Sequence, residues 1–241
     1  ERGVVCVIVN DDTEGTATTN KYELSADVKE TEYTAENYKA ILGAFIGIPR
    51  TVYVVKIGAA KKFTDAKPAI AGIDFNWLCY LNATSTEQDA VAAYIKETNA
   101  KNKRKKRKAV VYKATTTDDM HVVNFTNEAI KFKNAEAAYP VQNYVARIAG
   151  LLAGLPFTRA ATYTVMQELE SVTEPADLDA AVNKGEFILW NDSGEVRVGR
   201  AVNTLTTLGE DQTADMQKIT IVEAMDLILE DIVATFNDYY C

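Results

Sequence analysis

Four short apolar runs, too continuous to be covered on one side only, limit what this chain can become. GVVCVIV at 3–9 and TVYVVKI at 51–57 are rich in β-branched residues, and FNWLCYL at 75–81 and AVVYKA at 109–114 follow the same pattern. A strand that faces water on one side alternates apolar with polar residues, whereas one covered on both faces does not. Helical periodicity separates these runs. After Thr34, a residue suited to cap a helix, Tyr38, Ile41, Leu42 and Phe45 recur at three- and four-residue steps. Ser85, followed three residues later by Gln88, has the form of a capping box, opening a helix to about Ala100 with Val91, Tyr94, Ile95 and Thr98 on one side. NDDTEGTATTN after the first strand reads as a polar loop, and the segment before the third strand is broken by Pro68.

The second half is more mixed. HVVNF at 121–125 and AIKFK at 129–133 read as a pair of shorter strands. A helix is predicted from about Val141 to Ala153, closing at Gly154 and Pro156, and a short one over Ala176 to Lys184. EFILW at 186–190 and EVRVGRAV at 195–202 flank NDSG, a hairpin turn. Met216, Ile219, Val222, Met225, Leu229, Ile232 and Phe236 mark the expected inner face of a long final helix whose other face carries Asp215, Glu223, Asp226, Glu230, Asp231 and Asp238. The predicted fold class is therefore α/β. A mainly parallel or mixed central sheet has helices on its faces, plus a C-terminal hairpin and long amphipathic helix, all in one domain over residues 1–241.

Charge is unevenly placed. The net charge is −8, with 26 basic against 34 acidic residues, yet seven of the eight residues in KNKRKKRK are basic: Lys101, Lys103, Arg104, Lys105, Lys106, Arg107 and Lys108. Without them 19 bases face 34 acids, a body of −15. That balance argues against a general nucleic-acid binder, and the run lacks the interleaved aromatics that single-stranded nucleic acid favours. It reads either as a solvated helix C-terminus complementing the helix dipole, as a contact for an acidic partner surface, or as a nucleic-acid patch. The longest apolar run, 148–157, is half a bilayer span. Cys6 and Cys79 lie in strand-like runs and are expected as buried free thiols.

Chemistry-bearing motifs are sparse. His121 is the only histidine, has no cysteine near it, and is expected as a half-exposed strand residue. No glycine-rich phosphate loop or nucleophile elbow follows any strand, and Gly150 and Gly154 suit close helix packing. Asp11, Asp12 and Glu14 end the first strand, where an α/β enzyme could hold magnesium, and Glu210 and Asp211 form a second acidic pair. No catalytic residue, cofactor or metal site is assigned, and no enzymatic activity is expected.

One extended likeness goes further. RVGRAVNTLTTLGEDQTADMQKITIVEAMDLILEDI at 197–232 resembles the sheath proteins of contractile phage tails, particularly the short sheaths of Gram-positive prophages and phage-tail-like bacteriocins. ERGVV at 1–5, AAYPVQNYVARIAGLLAGLPFTRAATY at 137–163 and EFILWNDSGEVRVGRAVNTLTT at 186–207 are similar to the same family in the same order. The likeness spans the chain and is weakest between Lys101 and Phe125. It implies a structural subunit that polymerises with copies of itself in a helical sheath around an inner tail tube protein, meets baseplate and tail terminator proteins, and contracts to drive the tube through a cell envelope. It places the protein in a virion tail or tail-like particle assembled in the bacterial host cytoplasm. It also implies strand-donating arms that attach at Glu1, Arg2 and Gly3 and at Tyr239 and Tyr240; this chain is expected to lack both and to be mostly monomeric. For lateral contacts the candidates are Lys101, Lys103, Arg104, Lys105, Lys106, Arg107 and Lys108 against Glu223, Asp226, Glu230 and Asp231. The alternatives in other classes are an α/β nucleotide-binding or hydrolytic enzyme using Asp11 and Asp12, and a nucleic-acid-binding module using the basic run.

Overall fold

The computed structural model describes residues 3–14, 18–102 and 105–240. The first apolar run forms β1 (Val4–Asn10) in the middle of the main sheet, and its side chains divide strictly between two cores. Val5, Val7 and Val9 point to one face, Val4, Cys6 and Ile8 to the other, and all six are buried. Double-sided burial is why the run shows no alternation.

β2 (Thr19–Tyr22) starts in the last two residues of the stretch read as a polar loop and runs past it. It is an antiparallel edge strand, and Tyr22 is its only buried residue, which explains its polar sequence. α1 (Ala35–Phe45) and β3 (Thr51–Ile57) follow, and β3 pairs in parallel with β1. α2 (Phe63–Ala71) runs through Pro68 rather than breaking there, its first turn capped by the carboxylates of Asp65 and Glu87. β4 (Trp77–Tyr80), α3 (Ser85–Lys101) and β5 (Lys108–Tyr112) complete the crossover series. Thr84, not Ser85, caps α3, by accepting from the Glu87 amide. Gln88 instead turns inward and donates to the Tyr80 carbonyl.

β6 (Val122–Phe125) continues the main sheet parallel to β5, whereas β7 (Ile130–Phe132) pairs antiparallel with β8 (Leu169–Val172) in a separate ribbon. The two are therefore not partners, contrary to the sequence expectation. Between β7 and β8, a 3₁₀ turn at Val141–Tyr144 leads into α4 (Val145–Gly154). α5 (Leu178–Asn183) precedes β9 (Glu186–Phe187), a short edge of the main sheet. β10 (Leu189–Asp192) and β11 (Glu195–Val198) form the predicted hairpin. Its turn residues Ser193 and Gly194 both have positive φ, 52° and 86°, the backbone a two-residue hairpin turn requires. α6 (Ile219–Tyr240) closes the chain.

The sheet order is β2-β3-β1-β4-β5-β6-β9, with only β2 antiparallel. α1 and α4 cover one face and α2 and α3 the other. This is a doubly wound sheet whose order reverses between β1 and β4.

α1 and α4 approach so closely that side chains are excluded between them. A Cβ on Gly150 would overlap the Ala44 carbonyl, and one on Gly154 the Gly47 carbonyl. Gly150→Ala should lower the unfolding free energy in urea by about 3 kcal/mol. Gly194→Ala, whose Cβ would meet nothing, should lose only about 1 kcal/mol through its left-handed backbone. Equal losses would contradict the close-packing account.

Candidate functional site

In doubly wound sheets, ligands sit beyond the carboxyl ends of the strands where the order reverses. Here that place is filled by the chain itself. Asp11, just after β1, is buried and points at the start of α1. Its Oδ2 accepts from the Thr34 amide at 2.8 Å and from Asn37 Nδ2 at 2.8 Å, and its Oδ1 from the Thr13 amide at 2.9 Å. The carboxylate thus occupies the anion seat of a helix N-terminus that a bound phosphate would take. Burial opposes its ionisation, but the hydrogen bonds from Thr13, Asn37 and Thr34 more than offset this and hold its pKa down to about 2. The Lys56 ammonium lies 3.9 Å away.

An amide chain extends the plug across the switch point. Asn82 Nδ2 donates to Asn37 Oδ1 at 3.0 Å, and Asn143 Nδ2 to Asn82 Oδ1 at 2.8 Å. The Asn82 amide returns a bond to Asn143 Oδ1 at 2.7 Å from a left-handed backbone, φ 55°. Sequence reading flagged Asp11 but not Asn37, Asn82 or Asn143; the available signal was Asn82, directly after the third apolar run. Asp12 accepts from the Ala59 amide at 3.0 Å, and among the described residues no three His, Cys, Asp or Glu side chains converge as a metal site would need. Cys6 and Cys79 are buried and free.

The basic run is largely folded back on its own chain. Lys103 and Arg104 lie outside the described residues. Lys101, with 73% of its side chain exposed, pairs with Glu97 on the surface of α3, an arrangement worth little in water. Lys105 reaches Asp74 at 2.7 Å, and Lys106 caps the end of α3 by donating to the Asn99 and Asn102 carbonyls. Arg107 stacks 4.5 Å over Phe75 and donates to the Ile73 carbonyl. Four of the seven cations therefore have partners within the chain, and of these Lys106 donates to the terminal carbonyls of α3.

Lys108 corrects the expectation most clearly. It opens β5, is buried, and binds Asp226 at 2.7 Å and Glu223 at 3.1 Å within the same chain. Lys108, Glu223 and Asp226 thus face each other inside rather than a neighbour outside. The reason is the rotation of α6: Ile219, Val222 and Asp226 share its packed side, while Met225, Ile232 and Phe236, expected inside, are exposed. Glu230 is partly exposed and Asp231 exposed.

His121 joins this cluster and is 4% exposed, not half-exposed. Its Nε2 lies 3.2 Å from Asp226 Oδ1 and its Nδ1 3.3 Å from Asp119 Oδ1. A neutral imidazole can donate to only one carboxylate, so the doubly protonated ring alone satisfies both. Burial works against that charge, but the bonds to Asp119 and Asp226 outweigh it and raise the His121 pKa. Asp226 is likewise held below the usual range by His121 and Lys108 despite its burial. Of the family-type arm positions, Glu1 and Arg2 lie outside the described residues. The Gly3 carbonyl accepts from the Arg50 and Thr51 amides, Tyr239 is exposed on α6, and the Tyr240 backbone ends that helix.

What fold and site define together is an α/β body whose ligand seat is closed by its own side chains. No family model matches the chain. It is 30% identical over 250 residues to the tail sheath protein of Clostridium phage phiCD119, covering 99% of this chain and 67% of that protein. Its fold matches the sheath tail protein of Desulfitobacterium hafniense with a TM-score of 0.84 at 15% identity, over 100% of this chain and 80% of that one. It also matches the contracted helical sheath of the anti-feeding prophage, with a TM-score of 0.69 at 12% identity over 98% and 70%. The chain belongs to the tail sheath protein family and is a structural subunit of a contractile tail sheath.

A raised histidine pKa stabilises the fold below the unfolded value of about 6.5 and ceases to do so as pH rises through the folded value. The depressed carboxylates Asp11 and Asp226 stabilise it above about 4 and less as pH falls. The thermal midpoint should therefore peak between about pH 4 and 6.5, and the single histidine C2–H proton resonance should titrate above 6.5. Titration at or below 6.5 would contradict the doubly bonded imidazolium.

Proposed function

We propose that this chain is the core of a sheath subunit that assembles helically around an inner tube, meets a baseplate at one end and a terminator at the other, and works mechanically rather than chemically. The observation that carries the reading is the likeness to a tail sheath protein over nearly the whole chain. Family-type arms attach at Glu1, Arg2 and Gly3 and at Tyr239 and Tyr240, on a single core domain over 1–241. Arms of this kind add strands to the sheets of neighbouring subunits, so that subunits swing without detaching. Without arms the core stays mostly monomeric; assembly takes place in the host cytoplasm. Contraction then needs two packings of the array that differ by roughly a few kcal/mol per subunit, with no fuel molecule.

A non-enzymatic role is favoured by the closed seat at Asp11, whose lone pairs are engaged by Thr13, Thr34 and Asn37. For lateral contacts, Lys101, Lys103 and Arg104 of the basic run pair with acidic residues of a neighbour, Glu230 and Asp231 among them. Lys105, Lys106 and Arg107 are poor probes of that contact because they bind Asp74, the Asn99 carbonyl and the Ile73 carbonyl within the chain.

Three experiments test this. Magnesium with ATP should leave the thermal midpoint unchanged, and a rise of several degrees would revive the enzyme reading. Electron microscopy of the arm-bearing protein should show hollow tubes, and their absence would sink the subunit reading. Replacing Lys101, Lys103 and Arg104 with serine should change tube length or contraction, and unaltered tubes would remove the lateral contact alone.

A further inference from the structure

α6 has few buried anchors. Of its described side chains only Ile219, Val222 and Asp226 are buried. A backbone tether lies at its first residue, where the Ile219 amide donates to the Ala201 carbonyl at 3.2 Å, beside the Asn203 amide on the Gln217 carbonyl at 2.9 Å. Beyond that tether Val222 is the only buried apolar residue, a small anchor for a helix of 22 residues. The seat of α6 therefore depends on the polar cluster around Asp226.

That cluster gathers charges from three places: Lys108 at the start of β5, Glu223 and Asp226 on α6, and Asp119 just before His121. Asp118 turns aside to accept from the Thr206 and Thr207 amides, and Lys96 of α3 acts electrostatically on it. Burial opposes the charge of Lys108, but Glu223 and Asp226 outweigh it and raise its pKa, so Lys108 stays charged where histidine titrates. His121 is the member that changes charge near neutral pH. Its Nδ1 faces Asp119 at 3.3 Å and its Nε2 faces Asp226 at 3.2 Å, so a neutral ring must turn a lone pair toward one carboxylate. The bond that survives joins a neutral donor to a carboxylate and loses its ionic attraction. At 4% exposure, water has little access to make up the loss.

We propose that His121 is a proton-operated latch for α6: its imidazolium binds the helix through Asp226, and loss of the proton releases α6 from Val222 onward while the sheet stays folded. Once α6 leaves, the ring is hydrated and has an ordinary pKa of about 6.5. The latch is therefore fully closed below about 6.5 and weakens as pH rises through the raised value of the seated ring. It is built from residues of this core alone and does not rest on the sheath reading.

The test follows amide exchange of the whole chain by mass spectrometry, corrected for the intrinsic rate at each pH. Protection over residues 219–230 should fall about threefold or more between about pH 6 and about pH 9, and should stay below that over β1 at each pH. His121→Gln, which keeps a neutral donor in the seat, should lose this pH dependence. Asp119→Asn removes the carboxylate charge beside Nδ1, so the fall should move to lower pH together with the C2–H proton resonance of His121. A histidine that only fills space would not couple the two. Asp119 is partly exposed, so this variant keeps the proposal testable should His121→Gln fail to fold. Flat protection over 219–230, an undiminished fall in His121→Gln, or a fall in Asp119→Asn that does not follow the resonance would overturn the proposal. So would exchange over 219–230 no faster than over β1, which would make the loss one of global stability.

Discussion

Everything in this molecule is arranged around a strand with no free side. β1 has a parallel neighbour on each edge, β3 and β4, and a helical layer on each face. Both helical layers must then be laid down by crossovers that return the chain to the same sheet. The strand order that results puts a crevice at the carboxyl ends of β1 and β4. Other proteins of this architecture use such a crevice for ligands. Here Asp11 supplies the anion, Thr34 and Asn37 supply the donors, and Asn82 and Asn143 extend the hydrogen-bonded chain. An architecture associated with nucleotide chemistry here sets its own side chains at that crevice, and function resides in sites rather than in the fold carrying them.

The opposite ends of the strands hold the second polar centre. Lys108, His121, Asp119, Glu223 and Asp226 pair in a buried group that attaches α6 to the sheet. Buried ion pairs contribute little net stability compared with apolar packing, but removing one partner leaves a stranded charge. Their effect is therefore to specify where α6 is rooted. The helix can leave the body at one register only, with Asp226 inward and Ile228 outward.

Local pattern carried the fold further than it carried the polar centres. β1, β3, β4 and β5 announce themselves because double-sided burial leaves an unbroken apolar run, and Ser193–Gly194 because a two-residue turn needs positive φ. β2 was hidden because an edge strand with one buried side chain, Tyr22, looks like a loop. α2 was hidden by Pro68, which a short helix capped by Asp65 and Glu87 tolerates. The polar centres join residues far apart in sequence: His121 and Asp226 are 105 positions apart, Asn82 and Asn143 are 61. Charge alone could not tell Lys108, which begins a buried strand, from Lys101, exposed at the end of α3. Similarity over the full length, not any local motif, is what carried the family.

The glycine contact between α1 and α4 has a mechanical meaning. Where Gly47, Gly150 and Gly154 meet backbone directly, no side chain remains that could change rotamer and absorb a displacement. Sliding one helix over the other by a fraction of an ångström therefore brings carbonyl groups into collision. Load entering this core through α4 passes to α1 and the central strand without being dissipated. A wall built of such units is stiff within each block, and its change of shape is confined to the joints between blocks.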